Sequence, residues 1–86
     1  MPANQRHSMT KSRYTTRYRR LLKTLREART KAGVTQVDAA RHFDAHASFI
    51  SKIESGERRV DAVELADLCD IYGVKFATFL KQAGLE

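Results

Sequence analysis

Cysteine, proline, tryptophan and glycine are all scarce in this chain of 86 residues, which holds one cysteine, one proline, no tryptophan and four glycines. The single cysteine, Cys69, excludes a disulfide framework and any zinc site built on cysteine pairs, and it suits a reducing cytosol. Its expected place is the core, as a small apolar residue, with redox sensing as the other reading. Pro2 is the only proline, so every later segment is free of that helix breaker. No apolar run approaches the roughly 20 residues of a membrane span, and the start of the chain has no apolar signal core. No stretch alternates with period two over the length of a strand. What remains is an all-α domain near the lower size limit for a hydrophobic core that stands unaided.

Acidic side chains are all but missing from the first 34 residues. Residues 1–34 carry ten Lys or Arg against Glu27 alone, a net of +9, whereas residues 35–86 carry a net of −3. The overall charge of +6 hides that polarity. A basic half beside a mildly acidic one predicts a surface for a polyanion, nucleic acid before an anionic membrane. Catalytic chemistry has no foothold: there is no nucleophile elbow, no phosphate-binding glycine loop and no acid pair. His7, His42 and His46 have no carboxylate or cysteine at metal-ligand spacing. No enzyme activity, metal or cofactor is expected.

Residues 1–12 have no apolar periodicity and are expected to form a flexible basic arm, either simply solvated or touching phosphates or a minor groove. The domain proper is expected over 13–86. From Arg13 to Ala32, Tyr14, Tyr18, Leu21, Leu22, Leu25 and Ala28 recur at steps of three and four, which predicts one long amphipathic helix ended by Gly33. Arg13, Arg17 and Arg20 fall off its apolar stripe. A second helix is expected over Gln36–Phe43, with Thr35 as N-cap and Val37, Ala39, Ala40 and Phe43 as its apolar face. The turn Asp44-Ala45-His46 leads to a third helix over Ala47–Glu54, with Phe49, Ile50 and Ile53 inward and Ala47, Ser48, Ser51, Lys52 and Ser55 outward. Asp61 and Glu64 form a capping box at the start of a fourth helix, apolar over a wide arc. Val74, Phe76, Phe79 and Leu80 mark a fifth that ends near Gly84. Two short helices across a tight turn, at about 35–55, with the second polar and small on its outer face, have the build of an element that enters a DNA groove.

The segments Leu25-Arg26-Glu27-Ala28-Arg29, Gly33-Val34-Thr35-Gln36, Ile50-Ser51-Lys52-Ile53-Glu54-Ser55-Gly56-Glu57-Arg58-Arg59 and Tyr72-Gly73-Val74 together resemble the helix-turn-helix repressors of the lambdoid phage repressor and Cro type, the Xre family. The resemblance implies a compact five-helix, lambda-repressor-like DNA-binding domain, here with an extended basic first helix. It also implies roles. Gln36 would bond a DNA phosphate at a helix N-terminus. Ala47, Ser48, Ser51 and Lys52 would face base edges in the major groove. His46, Ser55, Arg58 and Arg59 would lie along the phosphate backbone, joined by Arg17 and Arg20 of the basic helix, which otherwise dock a partner. Arg29 and Glu54 occupy positions that pair. The chain departs from the family at three places: Asp44 stands for the usual turn glycine, Ala39 for a common leucine, and His46 for a Ser or Thr cap.

The function implied is a sequence-specific regulator of transcription, a repressor acting on double-stranded operator DNA as a homodimer in the cytoplasm. Its dimer face is expected on Tyr72, Val74, Phe76, Phe79 and Leu80, unless these close the monomer core instead. The alternative is an antitoxin that binds a toxin protein and represses its own promoter. Only residues 1–20 offer a segment for that partner.

Overall fold

The structure, a computed structural model, describes residues 15–86. The expected arm at 1–12, together with Arg13 and Tyr14, lies outside the described residues. Five helices follow in order: α1 Thr16–Lys31, α2 Gln36–Arg41, α3 Ala47–Ser55, α4 Ala62–Ile71 and α5 Phe76–Gln82. Among the described residues there is no strand.

Side-chain oxygens set three of the helix starts. Thr15 Oγ1 accepts the Tyr18 N–H at 3.1 Å, and Thr35 Oγ1 accepts that of Asp38 at 3.0 Å. Asp61 Oδ1 accepts the Glu64 N–H at 2.7 Å while Glu64 Oε1 accepts the Asp61 N–H at 3.1 Å, the reciprocal capping box the spacing predicts. The first cap corrects one boundary: α1 begins at Thr16 and not at Arg13, because the Thr15 hydroxyl serves as its N-cap. α2 is likewise shorter than its apolar pattern. It stops at Arg41, and Phe43 falls in the turn.

Four helix ends close in one manner. Val34, Ala45, Val74 and Leu85 donate their N–H groups to the carbonyls of Arg29, Ala40, Cys69 and Leu80, each five residues back. The residue before each donor holds a positive φ, and three of these are glycines. The fourth is Asp44 at φ 54°, the only non-glycine residue described in that region. An aspartate tolerates the left-handed conformation better than most residues, so the turn between α2 and α3 forms without the family's glycine.

The core gathers Tyr18, Leu21, Leu22 and Leu25 from α1, Ala39 and Ala40 from α2, Ile50 and Ile53 from α3, Leu65, Leu68, Cys69 and the C-cap Tyr72 from α4, and Phe79 with the C-cap Ala83 from α5. Ala39 and Ala40 are fully buried, and their small side chains allow a close approach of α2 to its neighbours. The Phe43 and Phe49 rings meet beside that core, centroids 5.1 Å apart and tilted by 48°. Burial pushes the Cys69 thiol up to about 11, so it is a poor thiolate at neutral pH.

Two expectations change here. Tyr72 and Phe79, assigned above to a dimer face, are buried inside the protomer, which is the other reading given for them. Val74 and Leu80 are partly buried against the same core, and Phe76 alone of the five stands out, 38% exposed. Val37, expected on the apolar inner face of α2, is 49% exposed. As the second residue of a short helix, it points past the edge of the core that Ala39 and Ala40 occupy.

Candidate nucleic-acid interface

The outer face of α3 carries Ser48 and Lys52 exposed, with Ala47 and Ser51 partly so, while Ile50 and Ile53 anchor the inner face. Ser51 Oγ donates back to the Ser48 carbonyl at 3.2 Å, and Ser55 Oγ to that of Lys52 at 3.1 Å. Ser51 thus spends its one hydroxyl proton on the backbone and keeps its oxygen as an acceptor. Ser55 is more committed, since its oxygen also accepts the Glu57 N–H at 3.3 Å and shapes the turn after the helix. His46 stands at the N-cap of α3, exposed, with no side-chain capping bond.

Besides Ile50 and Ile53, a half-buried ionic knot holds α3 in place. Arg29 of α1 donates Nε to Glu54 Oε2 at 2.6 Å and Nη2 to Glu54 Oε1 at 3.2 Å. Its remaining arm, Nη1, donates to the Val34 carbonyl at 2.9 Å. Glu54 Oε1 also accepts Nε2 of Gln36 at 3.1 Å. One carboxylate therefore joins α1, the first residue of α2 and the last turn of α3. The side-chain amide of Gln36, expected at a phosphate, is oriented by that carboxylate. The hydrogen bond to Glu54 holds the Arg29 guanidinium above its ordinary pKa despite burial.

The arginines just past α3 are laid against aromatic rings. The Arg58 guanidinium lies 4.8 Å from the Phe49 centroid, and that of Arg59 4.2 Å from the Tyr18 centroid. Arg58 commits its fork to Glu64, with Nη1 and Nη2 each 2.9 Å from a carboxylate oxygen. A phosphate there would compete with an internal partner. Tyr18 supports the same loop, its hydroxyl oxygen accepting the Val60 N–H at 3.2 Å.

Arg17 and Arg20 part company. Arg17 shares a concavity of about 370 Å³ with Arg59, Thr15, Tyr18, Leu21 and Leu85. Arg20 instead folds over Gly84, where even a Cβ would overlap its guanidinium. That places a cation at the C-terminal end of α5, where the helix dipole is negative. Of the expected phosphate group, Arg17 and Arg59 line one concavity, Gln36 is turned onto Glu54, Arg58 is tied to Glu64 and Arg20 lies at the far end of α5.

Sequence reading found Glu64 as a cap but missed its second role. The Arg58–Glu64 pair bridges a loop and the first turn of a helix, a spacing that no helical periodicity marks. Its hydrogen bonds from Arg58 hold the Glu64 carboxyl below its usual range. A carboxyl depressed in the folded state stabilises above its unfolded value and loses that contribution as pH falls through the folded one. Comparing thermal unfolding of wild type and Glu64→Gln from pH 7 to pH 3 is therefore expected to show a gap that narrows towards acid. A gap that stayed constant or widened would contradict the pairing.

Among the described residues no cluster of three or more His, Cys, Asp or Glu side chains is placed to hold a metal ion, and no helix is long and apolar enough to cross a membrane.

Comparison with known proteins agrees with this geometry. Residues 17–78 match the sequence profile of a family described as a helix-turn-helix domain. Among solved structures, the chain is similar to an XRE-family like protein from Pseudomonas syringae pv. tomato str. DC3000, at 38% identity and a TM-score of 0.77, covering 88% of this chain and 93% of that one. No curated protein matches significantly.

Proposed function

Because the chain belongs to the Xre-type helix-turn-helix family of DNA-binding proteins, we propose that it is a transcriptional repressor that binds operator DNA as a homodimer. The observation that carries the reading is the Arg29–Glu54–Gln36 knot. It fixes the attitude of α3 to α1 and α2, which a helix needs if it is to enter a major groove in one register. Ala47, Ser48, Ser51 and Lys52 then face the base edges, with Lys52 the one side chain long enough for a guanine. Gln36, together with Arg17 and Arg59, meets phosphates on either side, and His46 and Ser55 line the same path. The repressor works in the cytoplasm, where its operator lies.

A single short helix reads only a few base pairs, so a second copy is needed for affinity. With Tyr72 and Phe79 occupied inside the protomer, Phe76 and the flanks of Val74 and Leu80 supply the face between copies.

Fluorescence anisotropy with the DNA upstream of the protein's own gene, against a scrambled duplex at the same salt, tests this. Wild type is expected to prefer the upstream duplex, and Ser48→Ala with Lys52→Ala to lose about tenfold or more of that preference, on the order of 1–3 kcal/mol. Equal affinity for both duplexes in both proteins would refute a sequence-specific repressor. Sedimentation of wild type against Phe76→Asp tests the dimer separately.

A further inference from the structure

Arg58 is held from several directions at once. Its backbone N–H donates to the Lys52 carbonyl at 3.0 Å, which sets the residue against the last turns of α3, at a side chain assigned to base edges. Its guanidinium lies over the Phe49 ring, 4.8 Å from the centroid. Glu64, in the first turn of α4, receives Nη1 and Nη2 at 2.9 Å each, and Nη1 also donates to the Arg59 carbonyl at 3.0 Å. The Arg58 side chain is nonetheless 42% exposed, against 18% for Glu64, so the pair is open on the arginine's side.

A guanidinium carries five N–H donors in a rigid plane, and these bonds engage three of them. The two left over are Nε–H and the outer Nη2 proton, side by side on one edge. It is the edge by which Arg29 grips Glu54, through Nε and Nη2, and its spacing suits a bidentate pair with a carboxylate or a phosphate. Competition between Glu64 and a phosphate therefore concerns the other edge alone. A long side chain free in solvent loses rotamer freedom when a ligand immobilises it. One already clamped by a carboxylate and a ring has lost that freedom on folding. We propose that Glu64 and Phe49 are positioning residues for DNA binding, which hold Arg58 with its Nε edge presented to a backbone phosphate beside the C-terminal end of α3. This rests on α3 lying in the groove, as in the repressor reading, but a phosphate contact carries no sequence information and acts on any duplex.

Arg58→Lys supplies the discriminating background, since an ammonium keeps the charge but has no second edge. Affinities are read by fluorescence anisotropy at one salt concentration, on a duplex selected from a random pool and on a scrambled one. Glu64→Gln is expected to weaken wild type about fivefold per protomer on both duplexes, the cost of ordering one long side chain. In the Arg58→Lys background the same change is expected to strengthen binding, because it frees a tethered ammonium. The loss of one negative charge is common to both backgrounds and cancels in the comparison. Glutamine keeps the acceptor of the capping box, and unfolding temperatures check that each variant is folded. Phe49→Leu, which keeps an apolar anchor without the ring, is the second variant and is expected to weaken wild type more than it weakens Arg58→Lys. If Glu64→Gln leaves wild type unchanged or strengthens it, or changes both backgrounds alike, the positioning role is overturned. If wild type binds the selected and scrambled duplexes equally, the sequence-specific repressor reading falls, while the sign of the Glu64→Gln effect in the two backgrounds still decides the role of Glu64. Absence of binding to either duplex overturns both.

Discussion

Glu54→Ala is expected to cost about 3–5 kcal/mol of stability and to abolish operator binding together. The cost follows from what is left behind. Arg29 is nearly as enclosed as its partner, with side chains 11% and 6% exposed. A guanidinium cannot shed its proton to escape burial, so removing Glu54 leaves a half-enclosed charge without its carboxylate. Nε and Nη2 of Arg29 and Nε2 of Gln36 lose their acceptor at once. A domain of this size holds about 5–15 kcal/mol in total, and the unfolding temperature should fall by more than roughly 12 °C. Arg29→Ala with Glu54→Ala should cost clearly less than the two single changes summed, since the second removes a charge that the first has already left unpaired. Additive costs would mean that the pair does not act as a unit. Glu54→Gln, which keeps an acceptor but not the charge, should fall between wild type and Glu54→Ala.

That knot was half legible in the sequence. The pairing of Arg29 with Glu54 came from resemblance, because two residues 25 apart carry no local signal of contact. Gln36 was expected at a phosphate, and nothing in its spacing shows that Glu54 also receives its amide. The helices themselves were legible for a different reason. Apolar steps of three and four, a glycine at most helix ends, and Thr or Asp caps are local properties that survive without knowledge of the fold. The errors sit where a local rule met a tertiary one. Val37 continues the apolar pattern of α2, yet the helix is too short and its neighbours too small to cover it. Tyr72, Phe79 and Phe76 look alike as aromatic residues near the C-terminal end, and only packing separates the two that fill the core from the one that does not. Arg17 and Arg20 likewise share one basic helix. Three residues apart, they sit on neighbouring parts of one helix face but about 4.5 Å apart along its axis, and the loop at Gly84 lies under only one of them.

Phe79 brings the second large effect. It is the largest of the fully buried side chains, and Phe79→Ala should cost about 3–5 kcal/mol through lost transfer energy and the cavity left behind. Phe79→Asp should cost more, since it places a carboxylate with no partner in the apolar core. On the dimer face where the sequence places Phe79, that second change would instead split a dimer into folded monomers. The structure reverses the expectation: fold and association should fail together, so circular dichroism should report unfolding wherever sedimentation reports a lighter species. Phe76→Asp gives the contrasting case. Phe76 is 38% exposed, so its replacement should leave the unfolding temperature close to wild type while weakening association. Val63→Asp, at a side chain 71% exposed on α4, serves as the control and should change stability by no more than about 0.5 kcal/mol. A Phe79→Asp variant that stayed folded as a monomer would show that the side chain belongs to an interface after all, and that the core closes without it.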